Sequence, residues 1–231
     1  MMEKAISKNC IVNYPSSLKE LSIETIQLLN EKIIEYEKIF KVKLNEPIIV
    51  NYFDDIEKFR KFIYDIRQEE SLPEYAKGTY DEGMVNAYIE PDKQIKRKYT
   101  APHELFHIMY MKYILNNDYS IRIIWYDEGM AQFMSGEKEK YSNKEKFREY
   151  YLKIRSNTKT IPRLNKLIHG ESFINDEYNA YDLSYLSIRY LSETLPKDEF
   201  NDLMSNYHKI KKYGEDIVEK MFKYYDKLFT Y

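Results

Sequence analysis

His103-Glu104-Leu105-Phe106-His107 is the stretch on which the reading of this chain turns. Its two histidines are four residues apart, so on a helix they share one face, about one turn or roughly 5.4–6 Å apart along the axis. Two imidazole nitrogens can then turn towards a single metal ion. Glu104, next to the first histidine, can reach a water on that ion. The flanks predict the helix this arrangement needs. Thr100 is placed to act as its N-cap, and Pro102 falls in the first turn, where a missing N–H costs little. Leu105, Phe106, Ile108, Met109, Met111, Ile114 and Leu115 follow, so a largely buried helix is expected from about Lys98 to Asn116. Histidine is rare, 4 in 231 residues, and two of the four lie in the motif. A buried helix carrying two histidines and a glutamate needs partners for all three, which a metal site supplies.

A catalytic zinc takes three protein ligands and keeps one position open. Downstream lies Trp125-Tyr126-Asp127-Glu128-Gly129-Met130-Ala131-Gln132-Phe133. His-Glu-x-x-His followed about twenty residues on by W-x-x-E-G-x-A resembles the gluzincin clan of zinc peptidases. The likeness is closest to the peptidase MA-like domains, with the M1 aminopeptidases more distant. The resemblance implies an α+β, zincin-like fold. A small mixed sheet has an edge strand beside the motif helix, and a mostly helical C-terminal subdomain follows. It implies residues 1–116 as the α/β part with the zinc-binding helix, and 117–231 as the helical part with the third ligand. It implies Zn²⁺ as cofactor, held by His103, His107 and Glu128, with Glu104 as catalytic base. Asp127 is the rival ligand by residue type, but the clan places the ligand directly before the glycine, here Gly129.

Composition narrows the partners. Basic and acidic residues nearly balance, 36 against 38, for a net charge of −2. That gives no reason to invoke nucleic acid or an anionic membrane. Lys96-Arg97-Lys98 reads as a solvated approach to the helix. No run of about eighteen apolar residues exists, so no membrane span is expected. Cys10 is the only cysteine, which excludes an internal disulfide. Met1 to Tyr14 has no apolar h-region. Both fit a reducing, cytoplasmic compartment; a secreted form whose signal peptide lies outside this sequence is the alternative. The 24 tyrosines suit amphipathic positions, ring buried and hydroxyl wet.

From the N-terminus, Ser16 or Ser17 is expected to cap a first helix running to about Lys41. Pro47 to Phe53 reads as a buried strand. Asp54 and Asp55 start a second helix with Ile56, Phe59, Phe62, Ile63 and Ile66 inward, and Pro73 ends that region. Two short strands, Lys77–Tyr80 and Met84–Ile89, follow around a turn at Asp81-Glu82-Gly83, and Pro91 closes the second. In the gluzincin clan the strand before the zinc helix is a sheet edge onto which an extended peptide adds. Val85-Asn86-Ala87-Tyr88 resembles that edge strand of thermolysin-like enzymes, which implies that the Asn86 side chain and the Ala87 carbonyl hold substrate backbone. The M1 motif G-x-M-E-N is broken here, since Gly83-Met84-Val85-Asn86 has valine where the amine-gripping glutamate belongs. Glu82 and Glu90 flank the strand at its ends, where water is their expected environment.

Asn116 to Tyr119 reads as a loop, the Glu128 helix runs to about Ser135, and Gly136 stops it. Helices are expected at about 143–156 and 162–169. Tyr178 to Leu191 then resembles the aromatic helix of the clan, with Tyr181, Ser184 and Tyr190-Leu191 at the matching positions. In M1 enzymes that tyrosine stabilises the oxyanion, so the resemblance implies this catalytic role for Tyr181, with Tyr178 and Tyr185 as rivals. Gln132, one turn after Glu128, is read as the acceptor for the second N–H of a ligating histidine. His169 and His208 are read as surface residues, and the tail from Pro196 as two helices broken near Tyr213-Gly214. The expected function is zinc-dependent hydrolysis of a peptide or protein substrate, as an endopeptidase. An M1-like aminopeptidase, or a zinc-containing binding module without catalysis, is the alternative.

Overall fold

Alternating apolar residues build one five-stranded sheet. Its strands are β1 (Met2–Ile6), β2 (Cys10–Pro15), β3 (Ile48–Phe53), β4 (Gly78–Asp81) and β5 (Met84–Tyr88). They lie in the order β1-β2-β3-β5-β4. The β1–β2 and β4–β5 pairs are antiparallel, while β2–β3 and β3–β5 are parallel. This computed structural model describes residues 2–68, 77–81, 83–90 and 97–229. The expected stops at Pro73 and Pro91, and Glu82 of the expected turn, lie outside the described residues. The chain is mixed α+β and divides into two compact units, residues 1–109 and 110–231.

In the first unit the period of two separates the faces of the sheet. Val12, Val50 and Val85 are in register and fully buried, as are Tyr52 and Ala87 one step on. Helix α1 (Lys19–Phe40) covers this face, and its Thr25 hydroxyl lies 2.9 Å from that of Tyr52. Cys10 is buried there with its thiol 3.2 Å from the Ser7 hydroxyl. Burial raises the Cys10 pKa, with the Ser7 contact acting in the opposite direction. Helix α3 (Thr100–Tyr113) joins the same layer, with the Phe106 ring centroid 5.8 Å from Tyr36 and 5.7 Å from Phe40.

The opposite face carries a polar ladder. Asn13, Asn51, Asn86 and Thr79 stand opposite one another across β2, β3, β5 and β4. The Asn13 amide nitrogen donates to the Asn51 side-chain oxygen at 2.7 Å, and the Asn51 nitrogen donates to that of Asn86 at 2.8 Å. Helix α2 (Ile56–Ile66) lies by this face, its Phe59 and Phe62 rings against Phe53. Its C-cap, Arg67, donates to the Thr79 hydroxyl at 2.7 Å and pairs with Asp81 at 2.6 Å.

Local signals set most boundaries. Asp55 caps α2 by accepting from Glu57 and Lys58. The serines do not cap α1: Ser16–Leu18 is a 3-10 turn, Leu18 is the N-cap, and Ser17 donates to Asp54 instead. Thr100 lies inside α3 and is not its cap. The hairpin β1–β2 was not expected, because Met2 to Ile6 alternates only weakly in polarity.

In the second unit, helix α4 (Ile124–Ser135) is buried along almost its whole length and Gly136 ends it at φ +84°. Helix α6 (Ala180–Thr194) packs on it. A Cβ on Gly129 would lie 2.7 Å from the Ser184 carbonyl oxygen, so the two helices meet at a glycine. Helices α5 (Lys144–Asn157) and α8 (Ile217–Phe229) complete the core, with Tyr151 donating to Asp226 at 2.6 Å. Between α6 and α8 lie α7 (Lys197–Ser205) and a single turn, Tyr207–Ile210, so the tail is three helical pieces instead of two. The helix expected at 162–169 is only a 3-10 turn, Leu164–Lys166. The division between the units falls within α3, at Met109–Tyr110, and the Tyr110 ring lies 5.9 Å from Tyr126 in the second unit. No helix among the described residues is long and apolar enough to cross a membrane.

The ladder has a measurable cost if broken. Asn51→Ala removes the acceptor of Asn13 and the donor to Asn86, leaving polar groups unpaired in the sheet. Stability should fall by about 1–3 kcal/mol, read from the urea midpoint at unchanged slope; a loss below ~0.5 kcal/mol would show that the ladder is not an energetic feature.

Candidate metal centre

Helix α3 presents His103 and His107 one turn apart, with ring centroids 4.8 Å apart. His107 is 3% exposed, and its ring stacks on Tyr80 of β4 at 5.8 Å. Glu104, half-buried between them in sequence, approaches β4 at Gly78. A Cβ on Gly78 would come within 3.1 Å of the Glu104 Oε1. A small residue on this strand therefore lets the helix and the carboxylate come close.

The third member of the group comes from α4. Glu128 is 6% exposed and its neighbour Asp127 is fully buried. One donor atom from each of His103, His107 and Glu128 lies within 4.8 Å of the other two. Two imidazole nitrogens and one carboxylate oxygen form a zinc-type donor set. Asp127 is not in the group. Its Oδ2 takes the Arg122 Nε at 2.5 Å.

Arg122 also reaches Glu128, with Nη2 3.1 Å from Oε1. His169 Nε2 lies 3.4 Å from the same oxygen, and the Tyr181 hydroxyl lies 3.5 Å from His169 Nδ1. His169 is thus half-buried beside the carboxylate and is not the surface residue expected. The sequence around it does not place it, because its partners come from elsewhere in the chain. Arg122 was overlooked too. A signal for it existed: two adjacent acids in an apolar window demand a nearby cation. The side chain of His208 lies outside the described residues.

The structure separates Tyr181 from its rivals. Tyr178 donates to the Ser172 carbonyl at 3.0 Å, and Tyr185 is buried against Tyr150. Tyr181 alone of the three has its hydroxyl by His169, with its ring edge-on to Phe173 at 4.7 Å. Asn179 caps α6 and so fixes the turn that carries Tyr181. Gln132 donates its amide to the Tyr181 carbonyl at 3.0 Å, which ties α4 to that same turn.

The expected substrate contacts on β5 need correction. β5 is an interior strand between β3 and β4, so its backbone groups are already used in the sheet. Asn86 and Ala87 are both 0% exposed. The Asn86 side chain bonds to Asn51, on the face opposite that of Gly78 and Tyr80. Among the described residues the edge strand beside the motif helix is β4. Glu90 is not simply solvated; its carboxylate pairs with Lys77 at 2.6 Å and Arg97 at 3.7 Å. No protein-family model matches the chain, and no curated protein matches it.

Two outcomes are expected. Purified protein should carry close to one transition-metal ion per chain, and His107→Ala should lose most of it by metal analysis. Full retention in that variant would move the ligand set elsewhere. Arg122→Ala, by stripping a buried carboxylate of its cation, should cost about 3–5 kcal/mol in chemical denaturation, with Arg122→Lys recovering part.

Proposed function

We propose that the chain is a zinc-dependent peptidase of gluzincin type with a zincin-like arrangement, acting as an endopeptidase on peptide or protein substrates. The observation that carries this reading is the His103, His107 and Glu128 donor group, with Glu104 next to His103 on α3. A zinc ion there supplies Lewis acidity and lowers the pKa of a water towards ~7.

The residues then have separate tasks. Glu104 accepts a proton from the attacking water as its oxygen bonds to the scissile carbonyl carbon. The same carboxyl group returns the proton to the amide nitrogen as the C–N bond breaks. The Tyr181 hydroxyl donates to the oxyanion that develops on the former carbonyl. His169 lies beside that hydroxyl, with its Nδ1 3.5 Å away. Arg122 holds the Glu128 carboxylate in place and neutralises Asp127.

An extended peptide is held along β4, antiparallel or parallel to it, by backbone hydrogen bonds. Among the described residues β4 has one sheet partner, β5. A free N-terminus would need a carboxylate to grip it. β4 carries one carboxylate, Asp81, which is engaged by Arg67, and Glu90 is engaged by two cations. This supports an endopeptidase over an aminopeptidase.

One experiment tests mechanism and class together. Peptides with acetylated and free N-termini are digested by wild type and by Glu104→Gln, with cut sites read by mass spectrometry. Internal cleavage is expected, with kcat/KM within about tenfold for the two termini, and Glu104→Gln should retain zinc while losing ~10²–10⁴-fold in rate. Release of single N-terminal residues with several-hundredfold loss on acetylation would instead establish an aminopeptidase. Equal cleavage by Glu104→Gln would remove the base from the mechanism.

A further inference from the structure

A second site lies in the helical unit, in a cavity of about 610 Å³ that shares no residue with the donor group. One face of α5 forms its long wall. Lys146, Tyr150 and Lys153 recur there at helical spacing, so they share one face of the helix. The turn before α5 adds Lys140 and Tyr141, and the first turn of α6 adds Asp182.

The aromatic part of the wall is fixed. Tyr141 lies flat on Tyr150, with centroids 4.0 Å apart and planes 16° apart. Tyr150 is held from behind by donating to Asp182 Oδ1 at 2.6 Å. The Lys138 ammonium lies 3.4 Å from the same oxygen. The Asp182 charge is therefore met within the protein.

The cationic part is not met by carboxylates, though the Lys140 ammonium lies over the Tyr141 ring, 4.8 Å from its centroid. Among the described residues, none of Lys140, Lys146 and Lys153 forms an ion pair. Glu149 is the one other carboxylate lining the cavity. Three ammoniums around one hollow repel one another, and an anion placed between them removes that cost. The volume falls within the range of about 300–1,000 Å³ typical of small-molecule pockets.

We propose that this cavity binds a small molecule made of a planar ring bearing a phosphate group. The ring takes the place of the Lys140 ammonium on Tyr141, over the Tyr150 ring beneath it, and the phosphate lies between Lys146 and Lys153. The combination is what distinguishes this hollow: lysines alone would take any anion, and tyrosines alone any flat apolar body. The site does not depend on the peptidase reading, since its occupancy is a binding measurement.

The test is calorimetric titration of the zinc-loaded protein with phenyl phosphate, inorganic phosphate and phenol. Phenyl phosphate should bind about tenfold or more tightly than either fragment. The double variant Lys146→Glu/Lys153→Glu should lose about tenfold or more of that affinity. The control double variant Lys58→Glu/Lys223→Glu, with the same change in net charge, should retain it. Tyr141→Ala should bring phenyl phosphate down to the affinity of inorganic phosphate and leave the latter unchanged. Adenosine monophosphate binding above phenyl phosphate would identify a nucleotide site, and the reverse order an aryl phosphate site. Absence of binding at about 10 mM, equal losses in the two charge-reversal variants, or no effect of Tyr141→Ala would each overturn the assignment. All variants are compared by thermal midpoint, and the exposed lysine pair decides the matter if Tyr141→Ala does not fold.

Discussion

Asp127 and Glu128 are consecutive carboxylates on a helix that water scarcely reaches, and burying two such charges requires a cation within a few ångströms. Arg122 answers that demand. It sits in the segment leading into α4 and folds back so that one guanidinium serves both acids. The start of the helix is fixed by this pairing, since no side chain caps it. The next residue, Gly129, lets the Ser184 backbone come within a distance that any Cβ would forbid. Charge and steric need thus act on three successive positions. Asp127 is taken up by Arg122, Glu128 joins the two histidines in the donor group, and Gly129 closes the packing onto α6.

The sheet obeys a different constraint. Its two faces differ in kind, valines under α1 on one and an amide ladder on the other. A slip of one residue in any of three strands would put an asparagine into the valine layer and a valine into the ladder. Register is therefore specified twice, by burial on one side and by hydrogen bonds on the other. This placement also keeps Gly78 and Tyr80 on the face where α3 lies.

What could be read from the sequence was local. The motif helix, β3, the Asp55 cap, the stop at Gly136 and the α4 span all follow from signals within a few residues. What could not be read was non-local. Met84 to Ile89 carries the pattern of a strand, but nothing in it tells whether a neighbour lies on one side or both. The structure places β4 outside it, which transfers the edge to Gly78–Asp81 and buries Asn86. His169 was misplaced for the same reason. Its surroundings are assembled from Arg122, Glu128 and Tyr181, none of them near in sequence. The expected helix at 162–169 failed locally, where Leu164, Leu167 and Ile168 keep helical spacing for little more than one turn before Gly170, too short a run to offset helix nucleation.

Cys10 gives this architecture an internal reporter. It is the only thiol in the chain, fully covered by the layer that α1 lays on β2, and burial disfavours its ionised form. Thiolate is the form that reacts with alkylating agents and oxidants. In the closed state this thiol is therefore shielded from such reagents. Any reaction at Cys10 must await an opening of α1 from the sheet. The rate of labelling then measures how often that layer lifts, a local free energy of opening obtained without introducing a probe.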